Sequence, residues 1–120
     1  VTHKVMVNDN IIENIKSNGN ISSKFFADLM LFYSKFHRKL YKIDESPLHD
    51  PCVIAYLIDE TLFKGKLVNV EVEKESLITR GKTVVDWLGV TKRSVNCKVI
   101  NEVDHKKFFN LLKKELKKII

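Results

Sequence analysis

His49 and Asp50 stand side by side between Pro47 and Pro51, in the stretch SPLHDPCVIAYLID. Both side chains suit chemistry. A carboxylate held at the mouth of a helix can serve as a hard oxygen ligand for Ca²⁺ or Mg²⁺. A histidine, whose proton comes and goes near neutral pH, can give a proton to a leaving group. On residue types alone, a purely structural use is the commoner one for such a step. Asp50 is a good N-cap, Pro51 suits the first helical position, and Val53 through Ile58 supplies an apolar body. Calcium takes about 6–8 oxygens, and no Asp-rich loop accompanies Asp50. One carboxylate therefore cannot build the site alone.

The elements that must hold this pair are readable in outline. A short helix over Asn10 to Lys16 ends at Asn18-Gly19, a helix-stop signal. A longer helix is expected from Ser22 to Tyr41. Its residues Phe25, Phe26, Leu29, Met30, Phe32, Tyr33, Phe36, His37, Leu40 and Tyr41 recur at helical spacing and are expected to face the core. Lys42 to Pro47 reads as a loop, and a third helix runs from Pro51 to Asp59. Beyond Lys64-Gly65-Lys66 the period changes. Val68, Val70 and Val72 alternate with polar residues, as in a half-buried strand. Ile78 to Gly81, Thr83 to Leu88 and Val95 to Ile100 suggest further extended structure. Asp104 caps a final helix. Trp87, Val84 and Val85 are expected in the core, whereas His3 and His105 have no partners that suggest a site.

Composition bounds the class. The 120 residues are 44% hydrophobic and 30% charged, as in one soluble globular domain without an internal boundary. No apolar run approaches the roughly 18 residues of a membrane span. The +6 net charge invites a nucleic-acid reading. Much of it, however, sits at Lys106, Lys107, Lys113, Lys114, Lys117 and Lys118, opposite Phe108, Phe109, Leu112, Leu116 and Ile119. That arrangement reads as the solvated face of a helix, so neither nucleic acid nor membrane is expected as a partner. Cys52 and Cys97 follow no metal spacing and read as buried free thiols of a reducing cytoplasm.

The residues carry a resemblance. SPLHDPCVIAYLID is similar to the signature near the C-terminal end of the inosine-uridine preferring nucleoside hydrolases. FADLMLFYSKFHRKLY, Phe26 to Tyr41, resembles the helix before that signature. VTHKV and LITRGKTVVDWLG, Leu77 to Gly89, resemble flanking segments of the family, in the family's order. The resemblance implies an α/β fold, the C-terminal part of a Rossmann-like domain with a mostly parallel sheet flanked by helices. It also implies Ca²⁺-dependent hydrolysis of ribonucleosides to ribose and free base, in cytoplasmic nucleoside salvage, by a homo-oligomer (dimer or tetramer).

By the resemblance, His49 protonates a departing purine base, and Asp50 is a calcium ligand. His37 is a base-contacting candidate, with Arg38 and Tyr41 as further substrate-binding candidates. The reaction passes through an oxocarbenium-like transition state, with calcium orienting a water and a carboxylate base taking its proton. The family's Asp-x-Asp-x-Gly-x-Asp-Asp cluster does not occur in this sequence. The chain therefore corresponds to roughly the last third or two-fifths of a typical member. It is expected to be a C-terminal fragment inactive alone, with the remaining calcium ligands elsewhere. The alternative is a noncatalytic binding or interaction module derived from that fold, which would explain the missing carboxylates without truncation.

Overall fold

The computed structural model describes residues 1–119. Two compact units are present: residues 1–63 together with the stretch from Val103 onward, and Lys64–Glu102.

In the first unit, a 3₁₀ turn over Thr2–Lys4 leads into β1 (Met6–Val7), α1 (Asp9–Lys16) and α2 (Ile21–Tyr41). Then come β2 (Ser46–Pro47) and α3 (Asp50–Ile58), and the unit closes with α4 (His105–Lys118). Asn8 starts α1 by accepting the Ile11 N–H at 3.1 Å, while its amide donates to Glu45 at 3.2 Å. One side chain thus caps a helix and ties it to the loop before β2. β1 and β2 are antiparallel, pairing Met6 with Pro47 and Val7 with Ser46. The core gathers Val5, Val7, Ile12, Ile15, Leu48, Cys52 and Phe108. Edge-to-face rings extend it from Phe63 to Phe108 and on to Phe109, with centroids 6.5 and 5.2 Å apart. Asn18 and Asn20 donate to the carbonyls of Lys113 and Leu116 at 2.9 and 2.8 Å, tying the connection between α1 and α2 to the last turns of α4.

α2 departs from expectation. Its buried residues are Ser23, Ala27 and Ser34, whereas Phe25, Leu29, Phe32, Phe36 and Leu40 are exposed in this chain. Phe26, Met30, Tyr33 and His37 are half-buried between these two strips. The expectation that the aromatic stripe is core is therefore corrected. Small side chains let a helix backbone approach its neighbours closely; the inward face of α2 carries them, and α2 packs on α1 and α4. Ser34 also accepts a buried hydroxyl bond from Ser46 at 3.2 Å, fixing β2 against the helix.

The second unit holds all but the end residues of a three-stranded sheet in which β3 (Phe63–Val72) lies between β4 (Thr83–Asp86) and β5 (Cys97–Val103). β3 and β4 run antiparallel, from Asn69 opposite Asp86 to Val72 opposite Thr83. The fold class is α/β as the resemblance implies, with small sheets flanked by helices, but those sheets are antiparallel. The mostly parallel sheet does not occur among the described residues. Gly65 sits inside β3, where a Cβ would lie 2.6 Å from the carbonyl oxygen of Val99, so only glycine permits that approach.

The expected extended segment at Ile78 to Gly81 is a turn. Glu73 accepts the N–H groups of Glu75 and Ser76, which bends the chain into a hairpin loop, and Leu77 and Ile78 point to solvent. Trp87 and Val85 are half-buried and Val84 is exposed, so they do not form a core. The strict alternation expected of β3 fails at Asn69, which is buried beside Val68 because its amide donates to the Ser94 carbonyl at 2.9 Å. Of the cysteines only Cys52 is buried. Its thiol donates to the Leu48 carbonyl at 3.1 Å, and burial pushes its pKa up. Cys97 is exposed, contrary to expectation.

Candidate active site

The β1–β2 ladder determines where His49 and Asp50 stand. It is continued by the Leu48 N–H donating to the Val5 carbonyl at 2.9 Å, and Val5, Val7 and Leu48 are all buried. The strand must then turn sharply into α3. His49 occupies the N-cap position and Asp50 is the first helical residue, so Asp50 is not the cap that was expected. Neither side chain bonds the helix's free N–H groups; Pro51, which has no N–H to satisfy, eases that start. The Asp50 carboxylate still lies in the first turn, where the helix dipole favours negative charge.

A cleft of about 280 Å³ opens beside the pair, between the start of α3 and the side of α2. His49, Asp50 and Pro51 form one wall, and Met30 and Tyr33 form the other. His49 is exposed, and its Nδ1 lies 2.8 Å from the Thr2 hydroxyl oxygen. The His3 ring meets it edge to face at 5.4 Å.

The other residues singled out from the sequence are distributed unevenly. His37 does not line this cleft; its Nε2 lies 2.9 Å from the Tyr33 hydroxyl, one helical turn earlier. Its ring also stacks obliquely between those of Tyr33 and Tyr41, at 4.6 and 5.1 Å. Arg38 pairs with Asp9 at 2.6 Å and with Asp44 at 3.7 Å, linking the start of α1 to the loop after α2. Tyr41 is exposed at the last turn of α2. The geometry therefore brings His49 and Asp50 together, reaches His37 through Tyr33, and leaves Arg38 and Tyr41 outside the cleft lining.

Tyr33 and Thr2 are the members that residue patterns did not reveal. Tyr33 was hidden inside an apolar stripe. Its phenol, set four residues before His37, was the available signal, since a buried or half-buried tyrosine hydroxyl seeks a partner.

Asp50 does not make a calcium site with its neighbours. Among the described residues no group of three or more His, Cys, Asp or Glu side chains could hold a metal ion. The donor set is thus far short of the coordination a hard dication requires. A second cleft, of about 340 Å³, is almost wholly apolar and lies between α3, α4 and Phe26 of α2. Asp50 stands on its rim as well.

Comparison with known proteins follows these outlines. Residues 1–110 match the family model described as inosine-uridine preferring nucleoside hydrolase. The chain is 37% identical over 117 residues to a probable ribonucleoside hydrolase of Dictyostelium discoideum, covering 92% of this chain and 34% of that protein. It is 36% identical over 118 residues to the pyrimidine-specific ribonucleoside hydrolase RihA of Salmonella arizonae, covering 98% of this chain and 38% of that one. The chain thus spans little more than a third of the length of the curated relatives it matches.

Solved structures agree. The purine-preferring ribonucleoside hydrolase from Gardnerella vaginalis superposes on 98% of this chain with a TM-score of 0.79. That match is 24% identical and covers 37% of the solved chain, a likeness of fold. A plant nucleoside hydrolase gives the same TM-score at 26% identity, covering 98% of this chain and 39% of its own.

Proposed function

The chain belongs to the inosine-uridine preferring nucleoside hydrolase family, and from that premise we propose that it serves hydrolysis of the N-glycosidic bond of ribonucleosides, giving ribose and free base. The observation that carries this reading is the cleft with His49 and Asp50 on one wall and Tyr33 on the other. Breaking an N-glycosidic bond requires that the departing base take a proton as negative charge develops on it. His49, on the cleft wall, is the group assigned to give it. Tyr33, steadied by His37, offers a hydroxyl and a ring face to a planar base, so His37 acts on the base side through Tyr33. Arg38 holds α1 and the loop after α2 to the helix that carries Tyr33, and Tyr41 extends the ring cluster toward the helix end.

In this reading Asp50 supplies one oxygen to a calcium ion whose other ligands lie outside these residues. Both compact units belong to one hydrolase domain, and the enzyme works in cytoplasmic nucleoside salvage as a dimer or tetramer. The 120-residue chain alone then lacks both a complete metal site and a general base, and does not turn over nucleosides. Ribose release from inosine and uridine tests both halves of the proposal, measured first on the 120-residue chain and then on the gene product extended in frame upstream of Val1. The expected result is no release by the chain and, from the extended product, turnover whose inosine arm His49→Ala slows at least about 100-fold, the usual scale of a general acid. Release by the chain alone, abolished by a chelator, overturns its inactivity. An extended product without turnover overturns the hydrolase reading.

A further inference from the structure

The Thr2 hydroxyl stands 2.8 Å from Nδ1 of His49, although 47 positions separate the two residues. Nothing local brings them together. The contact follows from the β1–β2 pairing and the Leu48-to-Val5 bond, with the 3₁₀ turn closed by the Val5 N–H on the Thr2 carbonyl at 2.9 Å. His49 is exposed at a cleft wall, where a side chain would otherwise sample several rotamers and both neutral tautomers. The Thr2 contact and the edge of His3 at 5.4 Å restrain one side of the ring. Among the described residues Nε2 makes no hydrogen bond.

We infer that Thr2 is the positioning residue for His49: its hydroxyl oxygen accepts from Nδ1–H, orients the ring, and leaves Nε2 as the nitrogen that meets a ligand in the cleft. The inference rests on the proposed role of His49 and deepens it. A charged imidazole donates from both nitrogens, so beside it the hydroxyl oxygen can only accept. Loss of the Nε2 proton to a departing group leaves Nδ1–H in place, with the same bond unbroken. Which ring nitrogen bears the proton is set by the hydrogen bond that the other makes, and a hydroxyl that keeps Nδ1–H engaged spares the ring a proton rearrangement.

The test reads the tautomer directly. Ring ¹⁵N spectra of the 120-residue chain, labelled at histidine, are recorded at a pH where the imidazoles are neutral, with His49 assigned through His49→Gln. The wild-type chain is expected to show His49 mainly as the Nδ1–H form. Thr2→Val, nearly equal in volume but without the hydroxyl, is expected to lose that preference and move to the Nε2–H form favoured by free imidazole. Thr2→Ser is expected to keep it. A wild-type His49 that is mainly Nε2–H overturns the inference, as does a tautomer unchanged in Thr2→Val. A loss in Thr2→Ser equal to that in Thr2→Val also overturns it, because a merely steric role would not need the oxygen. The spectra are taken without substrate, so failure of the hydrolase reading in ribose release is separable from failure here.

Discussion

α2 and α4 are both amphipathic helices of the same compact unit, yet they use their apolar sides in opposite ways. Phe108 on α4 is 0% exposed and joins Phe109 and Phe63 in the core. Phe32 on α2 is 77% exposed, on a stripe that runs the length of the helix at intervals of three and four residues. α2 instead buries Ser23, Ala27 and Ser34. The pattern of a helix states which side is apolar; what covers that side depends on everything packed around it. Close approach through small residues can outcompete the larger side chains for the inner face.

Mutations can break this comparison. The largest expected effect is at Phe108, where Phe108→Ala removes a fully buried ring and should cost about 3–5 kcal/mol in urea unfolding of the chain. A loss below about 1 kcal/mol would mean that α4 is not anchored as described. Next comes Ala27→Leu on the small face of α2, expected to cost about 1–3 kcal/mol by overpacking, against Phe32→Ser on the exposed stripe, expected to stay within about 0.5 kcal/mol. The reverse order would place the aromatic stripe inward.

The smallest expected effect lies at the helix starts. Asp104 caps α4, accepting from the Lys107 N–H at 3.1 Å, whereas Asn20 before α2 makes no side-chain cap. The Lys107 backbone bond holds the Asp104 carboxyl below its ordinary value of 3.8. A carboxyl whose folded pKa is depressed adds stability at pH values above its unfolded pKa. That contribution fades as pH falls from about 3.8 through the lower folded value. Asp104→Ala should therefore lower the melting temperature slightly at neutral pH and flatten its dependence on acid in that window; Asn20→Ala should leave the acid dependence unchanged. Equal slopes in the wild-type chain and Asp104→Ala would remove Asp104 from the account.

What could be read from residue order follows the same division. The helices at Asp9, Ile21, Asp50 and His105 were legible to within a residue or two, because caps, prolines and periodic apolar residues act locally. Asp104 was legible as a cap for the same reason. The Glu73–Gly81 turn was not, because its branched and apolar residues carry strand propensity while the bend is made by one carboxylate gripping two backbone N–H groups. In the candidate site, His49 and Asp50 were conspicuous as neighbours. Their partners were not: Tyr33 faces the cleft only because Ser34 and Ala27 turn inward, and Thr2 arrives through strand pairing across nearly fifty residues.

Gly65 has a consequence for how β3 can be assembled. The Val99 carbonyl comes so close that a single position along β3 can lie opposite it, the one without a Cβ. Sliding β3 by one residue would set Lys64 or Lys66 there, and sliding by two would set Phe63 or Leu67. Each carries the atom that the gap refuses. The glycine therefore serves as an index notch: misaligned pairings of β3 with β5 are rejected by collision, whatever their hydrogen bonds could offer.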